Sequence, residues 1–424
     1  MTVEAGMATL KQRDCKRLIL FLGCSFVFLL GGKVNGNAEG GKTEQSCNAL
    51  RSMARMHMAL GNYAKAQPLA EQALSLAKTE NVSDSQLSMC LLDMAWLCKD
   101  RGRFDDAEIM CKDGLELLEK ARGKNHPYVA YTLRILGSIY QEQGRYSSAE
   151  TVLNRALGVM LASHSSTDHI IAPFQVDIAK LLVARGKFTE AEFYYVQARA
   201  LIDKSYGPNH LYTARVLGNI ASLYVLQGRY AEAEILINRA LAIQQEVYGP
   251  DHYMTAPTLL TMAGICKARQ DYTEAERLIE KALSLAESNY GQEHPVTGKI
   301  LSRLGRLYIA QDRYTEARDV CQRAVQVLED SLGSFNDHTA MALNNLAKLY
   351  AHQGRYAEAE VLCRRALNTL EQIFDRNHPH TADILETMAQ LCDKTGNHAE
   401  ATRLWRRVEQ IRSHTQAAIA KVIE

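Results

Sequence analysis

What this chain lacks narrows the field before anything in it is counted. It has almost no net charge: 49 basic side chains stand against 48 acidic ones, a formal +1, which argues against general adhesion to nucleic acid or to anionic membranes. It has no unbroken apolar run of the roughly 20 residues that a membrane-spanning helix needs. It has no glycine-rich phosphate loop, no His-Glu-x-x-His, no Gly-x-Ser-x-Gly and no Cys-x-x-Cys. A nucleotide cradle, a zinc-protease helix, a nucleophile elbow and a dithiol redox centre therefore find no support. No catalytic residue, cofactor or metal is expected, and no stretch outside the repeats described next is large enough to hold an enzyme domain.

What is there is a repeat. The stretch Gly228-Arg229-Tyr230-Ala231-Glu232-Ala233-Glu234 returns in variant form along almost the whole chain. Its aromatic position reads Tyr63, Phe104, Tyr146, Phe188, Tyr230, Tyr272, Tyr314, Tyr356 and, less faithfully, His398; the first interval is 41 residues and the others are 42. A fixed period of that size marks a stacked array rather than one globular core. Each unit of such an array buries its apolar face only against its neighbours, so the length of 424 residues sets no domain count.

Each copy reads as the turn of a helical hairpin. Gly228, with Gly144, Gly186, Gly354 and Gly396 in its register, suits a helix C-terminus in the left-handed conformation. Ser147-x-x-Glu150, Thr189-x-x-Glu192 and Thr273-x-x-Glu276 predict capping boxes, in which the hydroxyl caps the second helix and the glutamate reaches back to the cap's amide. The acids Asp105, Asp106, Glu232 and Glu234 fall at helix starts, where they complement the dipole without any acid-base role. In the first helix of a pair the apolar residues follow i, i+3, i+4, i+7, as in Leu301, Leu304, Gly305 and Tyr308; in the second, Ala233, Leu236, Ile237 and Ala240 do the same. Gly137, Ala179, Ala221, Ala263, Gly305, Ala347 and Ala389 share one register and Ala107 to Ala401 another, small enough for helices to approach at the short end of the usual 8–10 Å.

With Leu, Gly or Ala, and Tyr in the first helix and two small registers in the second, the hairpin resembles the tetratricopeptide repeat. Gly-Pro-Asn-His at 207–210 and Gly-Pro-Asp-His at 249–252 make it similar to the 42-residue kinesin light chain type. The resemblance covers residues 47–410 and implies an all-α, right-handed superhelical solenoid of about nine hairpins that binds other proteins. The heptad segment by which kinesin light chains join the motor is missing, which speaks against a motor role.

Around the repeats, residues 1–38 read as a signal peptide or membrane anchor. Lys11, Arg13, Lys16 and Arg17 precede an apolar run from Leu18 to Leu30, and the small residues Gly36 and Ala38 follow. A run of about 13 residues fits a signal core better than a span, and cleavage is expected between Gly36 and Glu39. An exported chain, in periplasm, envelope or medium, is expected; the alternative is anchoring by residues 18–30, the only route to a membrane. Residues 39–46 read as an unstructured spacer and 411–424 as a capping helix for the open end of the stack. Asn81-Val82-Ser83 is a loop sequon.

Two residue types invite other readings. His126, His210, His252, His294 and His378 recur between pairs, but units a helix layer or more apart cannot put two imidazoles about 2 Å from one ion; linker side chains bonding nearby backbone are expected. Cys98, Cys266 and Cys392 fall in the register of Tyr224, and Cys111, Cys321 and Cys363 in that of Leu153. Those are core registers, so free buried thiols are expected, with Cys98 to Cys111 the bridge to look for if one exists. The loop variants 163–168 and 333–337, which lack Gly-Pro-x-His, are expected to bend the array locally.

Function is placed on the concave face that the resemblance implies. Lys299, Arg303 and Arg306 follow i, i+4, i+7 off the core stripe, the next unit offers Asn344, Asn345 and Lys348, and earlier units offer Arg215, Asn219 and Lys180. In tetratricopeptide domains such registers hold peptide backbone or carboxylates, so the expected partner is another protein, through an acidic or C-terminal peptide or a helix, with no nucleic acid. The competing readings are a solvated charge stripe, a nucleic-acid-binding helical repeat, and a non-catalytic subunit of an envelope complex.

Overall fold

The computed structural model describes residues 38–59, 63–80, 82–374 and 378–423. Residues 1–37 of the export segment and Asn81 lie outside these residues, and the expected cleavage window from Gly36 to Glu39 straddles their start. Among the described residues every regular element is helical. Eighteen α-helices form nine consecutive pairs: α1 (Ala38–Ala59) with α2 (Tyr63–Thr79), α3 (Asp84–Asp100) with α4 (Phe104–Arg122), α5 (Pro127–Glu142) with α6 (Tyr146–Ser163), α7 (Ala172–Ala184) with α8 (Phe188–Tyr206), and α9 (Leu211–Leu226) with α10 (Tyr230–Tyr248). The remaining pairs are α11 (Ala256–Ala268) with α12 (Tyr272–Tyr290), α13 (Pro295–Ala310) with α14 (Tyr314–Leu332), α15 (Asp337–His352) with α16 (Tyr356–Ile373), and α17 (Pro379–Lys394) with α18 (His398–Ile423). The fold is the all-α array of helical hairpins that the period requires. No described helix is long and apolar enough to cross a membrane.

The helices begin at a cap register with the period of the repeat. His126, His210, His252, His294 and His378 each accept a hydrogen bond through Nδ1 from the backbone N–H two residues on, at 3.1–3.3 Å. This is the expected linker role, and its chemistry is N-capping of the first helix or, for His252, of the short 3-10 turn Tyr253–Thr255 that leads into it. The two loop variants keep the same device with a different side chain: Asp168 caps Ile170 N at 3.1 Å and Asn336 caps His338 N at 2.9 Å. Aromatic residues stack on the caps from the preceding helix, as Tyr248 does on His252 with centroids 4.5 Å apart.

The turn within each pair differs from expectation in one respect. Gly144, Gly186, Gly228, Gly354 and Gly396 have φ of +72° to +80°, the left-handed C-terminal conformation anticipated. The capping boxes do not form. The second helices start at the aromatic residue, one position earlier than the predicted hydroxyl, so Ser147 and Thr189 fall inside the first turn and the cap positions are Lys187, Arg229 and their equivalents. The freed glutamates instead reach the next repeat: Glu192 takes Arg229 at 2.9 Å and Glu276 takes Arg313 at 2.5 Å.

Two further boundaries shift. Residues 39–46, expected as a spacer, belong to α1, where Glu44 accepts a 3.2 Å bond from the hydroxyl of Ser83. Gly40 and Gly41 cost the helix about 1 kcal/mol each, and pairing of α1 with α2 and α3 outweighs that local preference. The segment 411–424, expected to cap the open end of the stack, continues α18 as far as Ile423.

Contacts group the chain into two compact units, residues up to 139 with 152–166, and residues 140–151 with those from 167 onward. The first has a core of Ala54, Met58, Ala66, Ala70, Met94 and Leu97. Beside that core a buried ion triad joins α1 to α3, Asp93 holding Arg51 at 2.7 Å and Arg55 at 2.5 Å. In the second unit Ala191, Ala233, Ala275, Ala317 and Ala359 are fully buried, and a Cβ on Gly305 would collide with the sulfur of Cys321. The small registers thus set the helix spacing. The eight cysteines among the described residues are free thiols, six of them buried; Cys98 and Cys111 form no bridge, and Cys266 and Cys392 are half-buried.

Candidate functional site

In the second unit the first helices form a layer of their own. α7 touches α9, α9 touches α11, α13 touches α15 and α15 touches α17, whereas second helices pack on their own partners and on the next first helix. A layer whose members also reach one another across the stack is the shorter, inner side of a curve, and the side chains it turns away from its partners line a groove.

The nine residues anticipated for that groove are not equivalent. Arg303 and Arg306 are exposed, Lys348 is half-buried, and all three lack a hydrogen bond or ion pair among the described residues. Lys299 is engaged, its Nζ 2.6 Å from the carboxylate of Glu142. Asn344 and Asn345 are buried between helices. Asn345 donates to the Ser302 carbonyl and hydroxyl at 3.0 Å, a bond that ties α15 to α13; Asn344 reaches the Asp383 carbonyl at 3.4 Å and leaves its own oxygen without a protein donor. Among the earlier units, Arg215 lies over the ring of Tyr212, 5.1 Å from its centroid, Lys180 stands 4.0 Å from Asp177, and the buried Nδ2 of Asn219 has no protein acceptor.

A residue that the sequence did not mark joins the unpaired set. Lys267, half-buried on α11, makes no ion pair among the described residues. Burial first, then repulsion from Arg306 and Lys348, pull its pKa down to about 8, with Asp383 opposing. Arg303 is pulled to about 10 by the surrounding protein and by Arg306. Lys267, Arg303, Arg306 and Lys348 thus form one field of like charge across α11, α13 and α15. Elsewhere on the second unit Arg229, Arg269, Arg277, Arg313, Arg355 and Arg364 all hold carboxylates. The cavity of about 240 Å³ lined by Ser147, Arg185, Gln372, Ile373, Phe374 and His378 shares no residue with this field.

Comparison with known proteins decides the family. A family model described as the MalT-like TPR region matches residues 38–289, and a tetratricopeptide-repeat model matches residues 254–330, 297–360 and 338–413. The chain belongs to the tetratricopeptide-repeat family. No curated protein matches its sequence. Among solved structures, this tetratricopeptide-repeat chain resembles a Rap protein complexed with Competence and Sporulation Factor, with a TM-score of 0.63 at 15% identity, covering 89% of this chain and 99% of that one. BtubC (BKLC) from P. vanneervenii matches with a TM-score of 0.41 at 19% identity, over 54% of this chain and 90% of its own. A structure of kinesin light chain type, with nearly identical TPR-like repeats, from Podosopora anserina matches with a TM-score of 0.38 at 23% identity, over 49% and 98%. Tetratricopeptide-repeat families are generally non-catalytic scaffolds that bind other proteins.

Proposed function

We propose that this chain is an exported, non-enzymatic scaffold that holds an acidic peptide segment, or an acidic C-terminus, against the inner face of its second unit. The observation that carries the reading is the unpaired cation field of Lys267, Arg303, Arg306 and Lys348. Like charges crowded on a curved surface, with Asp383 the one acid opposing them at Lys267, lower one another's affinity for protons, and a polyanionic ligand relieves that repulsion while gaining bidentate bonds to arginine. An extended peptide suits the site because a groove built from successive first helices is long and narrow, and the Rap protein of similar fold is itself found in complex with a factor. Export rests on the basic flank and the apolar run at 18–30, and N-terminal sequencing of native protein that began at Met1 would refute it.

The ligand reading is tested by titrating the purified chain with a fluorescein-labelled hexaglutamate peptide bearing a free C-terminal carboxylate. Changing Arg303 and Arg306 to Ala is expected to weaken binding at least about tenfold, on the order of 1.4 kcal/mol, with helicity and melting unaltered. Equal binding by the variant removes the site. Tight binding of single-stranded RNA that persists above about 0.3 M salt would favour a nucleic-acid repeat instead.

A further inference from the structure

The repeat architecture accounts for polar contacts between neighbouring units, which span one repeat: Arg229 to Glu192 is 37 residues, and so is Arg313 to Glu276. A second set of contacts within residues 140–151 and 167–424 obeys no such rule. The carboxylate of Glu142, at the end of α5, lies 2.6 Å from Lys299 Nζ, 157 residues away. The Glu142 carbonyl accepts from Asn336 Nδ2 at 2.8 Å, and His378 Nε2 stands 2.8 Å from the Ala184 carbonyl, each pair 194 residues apart. The ring of Tyr146 stacks on Phe374 with centroids 5.0 Å apart, a Cβ on Gly186 would meet Pro379 Cδ at 2.9 Å, and α8 touches α18. The turns of the third and fourth pairs are therefore seated on Asn336, before the eighth pair, and on Phe374, His378 and Pro379, around the start of the ninth, as a clasp.

We propose that this clasp is an autoinhibitory gate on the inner cationic face, with the Glu142 carboxylate occupying Lys299 as an acidic group of the ligand would. The inference rests on reading that face as a peptide site. Lys299 lies one helical turn before Arg303 on α13 and belongs to the same row, so the turn that carries Glu142 sits at the mouth of the groove. Ligand binding and clasp closure then compete for one ammonium group, and the closed form lowers apparent affinity by the fraction of molecules in which Lys299 is taken.

The clasp has the makings of a contact that can release. Its centre is the buried Asp337, which faces His338 and His380, Lys299 and the hydroxyl of Tyr146; together these outweigh burial and hold its carboxyl below the usual range. His338 faces Asp337, Lys299, Glu142 and His380, and burial brings it down to about 4; His378 faces His380 and Asp337, and burial brings it down to about 3. Asp337 Oδ1 and His380 Nδ1 find no protein partner in the closed form, and unmet polar groups keep a buried contact marginal. A histidine held below its ordinary 6.5 binds its proton more readily once released. The closed clasp is therefore at full strength above about pH 6.5 and weakens as the pH falls toward 4.

The test compares the full chain with its Glu142→Gln, Lys299→Gln and doubly substituted forms. Affinity for labelled hexaglutamate and amide hydrogen exchange at residues 140–146 and 333–338 are the two readouts. Glu142→Gln is expected to tighten binding about threefold or more and to speed exchange in both stretches. In the Lys299→Gln background the same change is expected to bring no gain, because the contested group is gone. Protection factors at the same two stretches in the unsubstituted chain, corrected for the intrinsic pH dependence of amide exchange, should fall between pH 6.5 and 4. Equal affinity of the unsubstituted and Glu142→Gln proteins, or a gain that survives in the Lys299→Gln background, overturns the gate and leaves the peptide site standing. Absence of binding by every form overturns the peptide site, and the gate with it.

Discussion

Arg229 lies flat on the ring of Tyr224, 3.6 Å from its centroid, and from that position reaches the carboxylate of Glu192 in the preceding repeat with bonds of 2.9 and 3.0 Å. Tyr224 donates its own hydroxyl to the same carboxylate at 2.8 Å, and burial followed by Glu192 pushes the phenol up to about 12. Arg145 on Tyr140, Arg313 on Tyr308 and Arg355 on Tyr350 repeat the stacking. Lysine cannot supply a planar face and a bonding fork at once. Arg229→Lys should therefore destabilise the chain by about 1–2 kcal/mol, with faster hydrogen exchange centred on α8 to α10. A double-mutant cycle with Glu192→Gln that shows no coupling would remove the link.

The turn register offers the opposite experiment. Gln270 and Asp312 stand where the other turns have glycine, and they are the non-glycine residues recorded with positive φ, at 64° and 60°. An L-residue in the left-handed region costs roughly 1–2 kcal/mol, partly offset because glycine is freer in the unfolded chain. Gln270 is exposed, so Gln270→Gly should raise stability by about 0.5–1 kcal/mol, read as an increased urea midpoint with an unchanged slope. A lowered midpoint would show that the turn is held for some other reason.

The spacing set by small residues predicts locality. Replacing Ala233, fully buried against α9, by Trp should overpack one hairpin at a cost of about 1–3 kcal/mol. Because each hairpin is stabilised by its neighbours, protection should fall mainly across residues 200–270. Uniform loss through the second unit would contradict that picture.

Most of the fold was legible because a 42-residue period writes the same packing problem down nine times, and each copy corrects the reading of the others. What was missed is what the period does not carry. The capping boxes failed since Thr189-x-x-Glu192 fits a cap two residues later than Lys187, where the aromatic register puts it. Asn344 and Asn345 looked solvent-facing beside Lys348, yet the narrow inner layer buries them to join α15 to α13 and α17. Lys267 was invisible because its register holds Ile309 and Ala351 in the next units, so no cationic row marks it. The contact of Glu142 with Lys299 crosses 157 residues, and no local spacing rule reaches that far.

In the first unit, Asp93 holds two guanidinium groups, with side-chain exposure of 2% for the acid, 7% for Arg51 and 21% for Arg55. Burial lowers the pKa of Arg55, and Asp93 opposes that shift. Removing the acid leaves Arg51 buried beside the like charge of Arg55, so Asp93→Asn should cost about 3–5 kcal/mol and expose α1 first to proteolysis. If replacing Arg51, Arg55 and Asp93 together with apolar residues restores stability, the triad serves specificity and not strength.

The last prediction concerns protons taken up with the ligand. Lys267 has a pKa of about 8 in the free protein because burial and the charges of Arg306 and Lys348 disfavour its ammonium form. An anion seated among these groups reverses the repulsion and raises that pKa, so binding captures a proton wherever the pH lies between the free and bound values. The sign follows: affinity for hexaglutamate is full below about pH 8 and declines as the pH rises through it, by up to tenfold per pH unit. Lys267→Met should weaken binding at pH 7 and flatten the decline above pH 8, while Lys348→Met should weaken binding and move the decline to higher pH, because one of the charges depressing Lys267 is gone. An affinity that is constant from pH 7 to 9.5 in the unsubstituted chain would place Lys267 outside the site.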